Sequence, residues 1–195
     1  MQIPPGSRFH QALDYAVELH QDQARKGSST PYVAHLMSTA ALVLQFGGSE
    51  DQAVAALLHD AAEDQGGEAT LAAIEQRFGG AVASIVRACS DTFERPKPLW
   101  RERKERYIAT IPVKDPAALL VSACDKLDNA RAIAIDLRTD GVETLKRFKG
   151  GMETVWYYRA VTDALTARRD VGGLSVALRE LELVVRELEA LAPPV

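Results

Sequence analysis

No stretch of this sequence approaches the roughly 20 consecutive apolar residues that a membrane-spanning helix needs, although 47% of its 195 residues are hydrophobic. Cysteine is nearly absent. Cys89 and Cys124, the only two, sit inside apolar stretches at a spacing that fits neither a zinc site nor a disulfide framework, so both read as small core residues. Aromatics make up only 6% of the chain. There is no excess of basic residues: the formal net charge is −4, which removes the global positive field expected of a nucleic-acid binder. The first ten residues, MQIPPGSRFH, contain no apolar core of a secretory leader, so a cytoplasmic protein is expected. Sustained period-two alternation, low-complexity tracts and internal repeats are also missing. What remains is an all-α pattern, expected to form one compact domain over residues 1–195 with a substantial core.

Apolar positions Leu13, Ala16, Val17 and Leu19 predict a first amphipathic helix from Phe9 to Ala24. Pro31 suits the start of a second, ending at Gln45 before Gly47-Gly48. Ser49 is a natural cap for a third, with Glu50 and Asp51 in its first turn, running through AVAALLHDAAED to Gly66-Gly67. Thr70 is the expected cap for LAAIEQRF, which Gly79-Gly80 separates from AVASIVRAC. A charged helix follows from Trp100 to Thr110, then a long buried one in LLVSACDKLDNARAIAIDL, another in METVWYYRAVTDALTARR, and a last from Leu174 to Leu191. The stripe Leu178, Leu181, Val184-Val185 and Leu188 on that last helix suits packing on its own domain or an interface. The segment RERKER reads either as a solvated helix face of alternating sign or as a source of cations for an anionic substrate.

Chemistry concentrates at a few positions. Asp60, Glu63 and Asp64 follow directly on the buried signature AVAALL, at steps of three and four that place them near one helix face. They fall where a helix ending at Gly66 would carry partial negative charge, so a compensating cation is expected. His59 precedes them, and His35 interrupts the apolar helix YVAHLMSTAALVL. Asp125 breaks the apolar run LLVSAC; either it is paired with Lys126 or Arg131, or it coordinates something, because a buried lone charge is costly. Asn129 shares its face. Two imidazoles and two carboxylates from three helices make a mixed N/O donor set suited to a borderline divalent metal.

The order His35, His59-Asp60, Asp125 resembles the HD superfamily of metal-dependent phosphohydrolases. ARKGSSTPYVAH is similar to the R-K-x-G…P-Y-x-x-H entry of the hydrolase domain in RelA/SpoT-type proteins, and ALLHDAAED to its A-x-L-L-H-D-x-x-E-D. IEQRFGGAVASIV resembles I-x-x-x-F-G-x-x-V-x-x-(I/L)-V, and CDKLDNAR resembles A-D-(R/K)-L-x-N-x-R. The motifs run in order from Phe9 to Arg138, and the chain resembles a stand-alone small alarmone hydrolase, with a motif-bearing core over about residues 9–168. Two segments depart from the pattern. RACSDTFERPKPLW replaces a V-T-K-type segment, and Gln65 stands where the bifunctional enzymes carry Thr.

The resemblance implies an HD-domain fold in which His35, His59, Asp60 and Asp125 hold one Mn²⁺ or another divalent transition metal, with Glu63 and Asp64 as the catalytic acidic pair. It implies Arg25, Lys26 and Asn129 as nucleotide contacts. Arg101, Arg103 and Lys104 are candidates for distal phosphates, and among Trp156, Tyr157 and Tyr158, which suit the core, one tyrosine edge such as that of Tyr157 for the pocket wall. The implied reaction removes the 3′-diphosphate of (p)ppGpp or (p)ppApp as pyrophosphate, leaving a nucleoside 5′-di- or triphosphate. Alternatives are an HD phosphohydrolase acting on NADPH or other nucleotides, and a non-catalytic nucleotide-binding or antitoxin module. The expected partner is a small nucleotide, with no nucleic acid and no membrane, on a monomer or homodimer.

Overall fold

The computed structural model describes residues 3–171 and 173–192, so the extreme ends of the expected 1–195 domain lie outside it. Among the described residues it holds ten α-helices, two short 3₁₀ turns and no strand beyond an isolated bridge between Ala24 and Pro31. The helices are α1 (Arg8–Leu19), α2 (Val33–Gln45), α3 (Glu50–Leu58), α4 (Ala61–Gln65), α5 (Glu68–Phe78), α6 (Gly80–Cys89), α7 (Trp100–Thr110), α8 (Pro116–Asp140), α9 (Glu153–Thr166) and α10 (Leu174–Leu191).

At the centre lies α3, whose residues Ala53 to Leu58 are fully buried. Its small alanines allow close approach, and α1, α2, α6 and α8 all pack on it. Ser49 caps it as expected, in a reciprocal box with Gln52. The long helix α8, about 37 Å at 1.5 Å per residue, is buried from Ala118 to Leu127 and carries Asp125 near its middle. The apolar stripe of α10 (Leu174, Leu178, Leu181, Val185, Leu188) packs on α8 and α9 within the same chain. Burying each such side chain stabilises the fold by roughly 1.5–3 kcal/mol.

Four local expectations are corrected. The first helix stops at Leu19, because residues 20–31 turn back on themselves: Arg25 N–H donates to Thr30 O, and Tyr32 N–H to Gln23 O. Pro31 belongs to that turn and does not open α2. Thr70 is not a cap; it lies within α5, and its hydroxyl donates to Gln65 O at 2.9 Å. Most consequentially, AVAALLHDAAED is not one helix. The His59 ring donates from Nδ1 to Ala56 O at 2.8 Å, competing for the carbonyl that the Asp60 N–H would use in an unbroken helix. The chain breaks at His59-Asp60, and Asp60 becomes the N-cap residue of α4.

Candidate functional site

That break removes the electrostatic expectation for the acid cluster. Glu63 and Asp64 lie on α4, whose five residues make little more than one turn, instead of at the negative end of a long helix. The break also turns Asp60 back toward the two imidazoles. His35 arrives from α2, His59 from the α3–α4 turn and Asp125 from α8. One ligand atom from each of these three lies within 4.8 Å of the others. Asp125 Oδ1 is 3.3 Å from His35 Nε2 and 3.5 Å from His59 Nε2. Asp60 Oδ2 is 3.8 Å and 3.2 Å from the same two nitrogens.

Both imidazoles are buried, and each has its Nδ1 occupied, His35 by Asp128 Oδ2 at 2.6 Å and His59 by Ala56 O. Their Nε2 atoms therefore carry the lone pairs, and neither Nε2 has a hydrogen-bond partner among the described residues. Two orphaned buried nitrogens facing two carboxylates fit a divalent cation. Burial pulls both imidazoles down, yet Asp125 with Asp128 for His35, and Asp60 with Asp125 for His59, outweigh it and raise them. Burial likewise pushes Asp125 up, but Lys126 and the two imidazoles hold it well below the carboxylate range. In the absence of a cation the carboxylates would draw protons onto two rings only 5.1 Å apart, where they repel. A cation removes that conflict. Tyr32 holds the outer edge by donating its hydroxyl to Asp60 Oδ2.

Both divergent segments serve the acidic pair. Within RACSDTFERPKPLW, the Asp91 N–H donates to Glu63 Oε2 at 2.9 Å, Lys97 Nζ to Glu63 Oε1 at 2.8 Å, and Arg95 to Glu63 O. Burial, then Asp91 and Asp60, raise the Glu63 carboxyl above its ordinary value despite Lys97. Gln65 donates to Gln23 Oε1 at 2.6 Å, and the Gln23 amide donates to Asp64 Oδ2 at 2.9 Å. Gln65 thus buttresses Asp64 through Gln23.

Asp60, Glu63, Asp64, Asp91 and Asp125 line a cleft of about 1140 Å³, and the two imidazoles are buried against Asp60 and Asp125 outside its lining. Its walls carry eight cations (Arg25, Lys26, Lys97, Arg103, Lys104, Lys126, Arg147, Lys149) and seven acids (Asp22, Asp60, Glu63, Asp64, Asp91, Asp125, Asp136). The cations therefore outnumber the acids by one within an acidic protein, and a divalent ion would add to that excess. Arg25 donates to Asn129 Oδ1 at 3.0 Å and reaches Asp128 Oδ2 at 3.4 Å, while Asn129 Nδ2 donates to Asp125 Oδ1 at 2.6 Å. Lys26 lies on the rim; its place in the cleft, and then Lys104, Lys149 and Lys97, lower its ammonium against the pull of Asp64. Gly27 follows at φ 74°, and a Cβ there would sit 2.5 Å from the Arg147 side chain.

RERKER divides. Arg101 and Arg106 pair with glutamates on the solvated side, whereas Arg103 is buried and tied to Asp91, and Lys104 Nζ donates to the same oxygen at 2.8 Å. Tyr157 lines the cleft wall, packed edge-on to Trp100 and Tyr158. Asp125 and Lys126 pair at 2.5 Å through Oδ2, while Asp125 Oδ1 faces the two imidazoles. Arg131 pairs elsewhere, with Glu180. Sequence reasoning passed over Asp128, Tyr32, Lys97 and Asp91. The available signal for Asp128 was a second aspartate three residues after Asp125, one turn along the same helix.

The chain matches the family model described as HD domain over residues 12–149, and it belongs to that family. Among individual proteins, it is 37% identical over 124 residues to guanosine-3′,5′-bis(diphosphate) 3′-pyrophosphohydrolase MESH1 of Mus musculus, covering 62% of this chain and 66% of that one. The Drosophila melanogaster MESH1 is 33% identical over 142 residues, covering 71% and 76%. The bifunctional (p)ppGpp synthase/hydrolase SpoT of Escherichia coli is 30% identical over 164 residues, which span 81% of this chain but 22% of SpoT. A solved structure described as a metazoan ortholog of SpoT that hydrolyzes ppGpp superposes with a TM-score of 0.76 at 27% identity, covering 96% of this chain and 98% of that one. No described helix is long and apolar enough to cross a membrane.

Proposed function

We propose that this protein is a Mn²⁺-dependent 3′-pyrophosphohydrolase of (p)ppGpp-type alarmones, releasing pyrophosphate and a nucleoside 5′-di- or triphosphate. The observation that carries this reading is the pair of orphaned, buried imidazole nitrogens facing Asp125 and Asp60, which themselves line a cation-bearing cleft. The kinship with ppGpp hydrolases supports the substrate. In this reading His35, His59, Asp60 and Asp125 hold the metal, and the hydrolase body spans residues 9–168, with the helix at 174–191 packed behind it. The free, buried cysteines suit a reducing compartment, and the reading sets the enzyme in the cytoplasm.

When bound, the cation supplies charge neutralisation for a phosphate oxygen and acidifies water. Around it the protein's own residues divide the work. Glu63, whose carboxyl is raised by burial and by Asp91 and Asp60, suits donation of a proton to the departing 3′ oxygen. Asp64, held by Gln23, suits orienting and deprotonating the attacking water. Arg25 and Asn129 grip the nucleoside, and Lys26, Arg103 and Lys104 offset phosphate charge, with Tyr157 closing the wall. Lys97 joins them on the side of Glu63.

The test is a Mn²⁺-supplemented assay with ppGpp, ppApp and NADPH in parallel. Pyrophosphate released from ppGpp is the expected result. Phosphate released from NADPH alone, or no turnover of any of the three, would overturn the proposal.

A further inference from the structure

The metal end and the nucleotide end of the cleft are joined by a closed ring of contacts. Asp125 Oδ1 accepts from Asn129 Nδ2 at 2.6 Å, and Asn129 Oδ1 accepts from Arg25 Nη2 at 3.0 Å. Arg25 Nη1 reaches Asp128 Oδ2 at 3.4 Å, and that same oxygen accepts from His35 Nδ1 at 2.6 Å. His35 Nε2 then returns to Asp125 Oδ1 at 3.3 Å. Two members are candidate metal ligands and two face the nucleotide. Asp128 is the member that touches both sets through one atom.

We propose that Asp128 is a positioning residue that couples metal loading to nucleotide binding. It occupies the variable position of the L-x-N pattern, so the motif itself assigns it nothing. Its other oxygen, Oδ1, accepts from the Ser38 hydroxyl on α2, which fixes the carboxylate between the two helices. Held in this way, it sets the His35 ring with Nε2 toward Asp125 and makes that nitrogen a stronger donor. It also holds the Arg25 guanidinium beside Asn129. A group shared by two binding events links them, and such linkage is reciprocal. Drawing His35 onto a metal fixes the Asp128 carboxylate, which presents Arg25 already oriented. The proposal rests on the metal-hydrolase reading of this site.

The experiment pairs Asp128→Asn with Arg25→Ala in the full chain. Mn²⁺ affinity is read by competition with a chromogenic chelator, without substrate, and steady-state kinetics are read with ppGpp over a Mn²⁺ series. The expected result for Asp128→Asn is Mn²⁺ affinity weakened roughly 10- to 100-fold, with saturating Mn²⁺ restoring kcat but leaving KM raised. Arg25→Ala should raise KM while shifting Mn²⁺ affinity less than about threefold, since the His35–Asp128 bond survives it. Should Asp128→Asn not fold, Ser38→Ala, which loosens the same carboxylate, is expected to shift both quantities in the same direction by less. Unchanged Mn²⁺ affinity in Asp128→Asn overturns the hold on His35. Weakened affinity with an unchanged KM overturns the coupling. Failure of the wild-type protein to turn over ppGpp would defeat the alarmone reading, yet the chelator titration would still test the hold on His35.

Discussion

The floor of the cleft and its cationic wall are held in different ways. Asp125 on the floor, and His35 and His59 packed against it, are almost wholly buried, and each is fixed by a partner of its own: Lys126 with Asn129, Asp128, and Ala56 O. The wall depends on shared charge. Arg103 and Lys104 converge on Asp91, whose main chain in turn supports Glu63, while Lys26 stands on the open rim. Asp91 accordingly lies low, at about 2, because Lys104 and Arg103 overcome the burial that would raise it. A floor built in this way is preorganised and insulated from salt. The wall is adjustable, and its outermost members are screened.

The sharpest way to break this contrast is to remove a buried imidazole. His59→Ala should lower phosphohydrolysis to background and abolish tight Mn²⁺ binding, and a chelator should do the same to the wild-type protein; surviving turnover would mean that the metal lies elsewhere. Glu63→Gln comes next. It should reduce kcat roughly 10²- to 10⁴-fold, the span of a general acid, while isothermal titration finds Mn²⁺ affinity close to wild type. Coincident loss of both would move Glu63 into the ligand set.

The wall offers two smaller effects. Arg103→Ala takes one partner from a pair whose side chains are only 7% and 4% exposed. With Lys104 still present, the expected cost is about 3 kcal/mol, near the lower end for breaking a buried pair, read from the urea midpoint. A change within 0.5 kcal/mol would return Arg103 to the solvated face of RERKER. Smallest of all, Lys26→Ala should raise KM only a few-fold, consistent with the roughly 0.2–1 kcal/mol typical of exposed charge interactions. Its difference from wild type should shrink as ionic strength rises. A salt-independent difference would make Lys26 part of the preorganised floor.

Some of this architecture could be read directly from residue order. The spans of α7 and α10 match the expected Trp100–Thr110 and Leu174–Leu191, because apolar periodicity and flanking glycine or proline are local signals. The cluster of imidazoles and carboxylates could be read because histidines and aspartates interrupt otherwise apolar helices. The α3–α4 break could not, because it turns on one hydrogen bond from the His59 ring to a carbonyl three residues back. Residue spacing favours a continuous helix there, and with it a long-helix dipole at Glu63 and Asp64 that the five-residue α4 does not supply. The divergent segment after α6 was equally opaque. Its value lies in Asp91, Arg95 and Lys97 reaching Glu63 across about 30 residues of chain, a contact that composition does not register.

By itself, then, residue order determined an all-helical chain, its principal apolar faces, and a donor set of imidazoles and carboxylates with an acidic pair beside it. These follow from periodicity and from the cost of burying polar groups, both properties of short segments. Tertiary packing decided which nitrogen of each histidine faces Asp60 and Asp125, that Arg103 is sunk into an ion pair while Arg101 remains in solvent, and that Asp128 stands between His35 and Arg25. His35 and Asp128 are separated by 93 residues of chain. Only the packing of α2 against α8 brings them within hydrogen-bonding distance, and a bond of that kind has no signature in either segment alone.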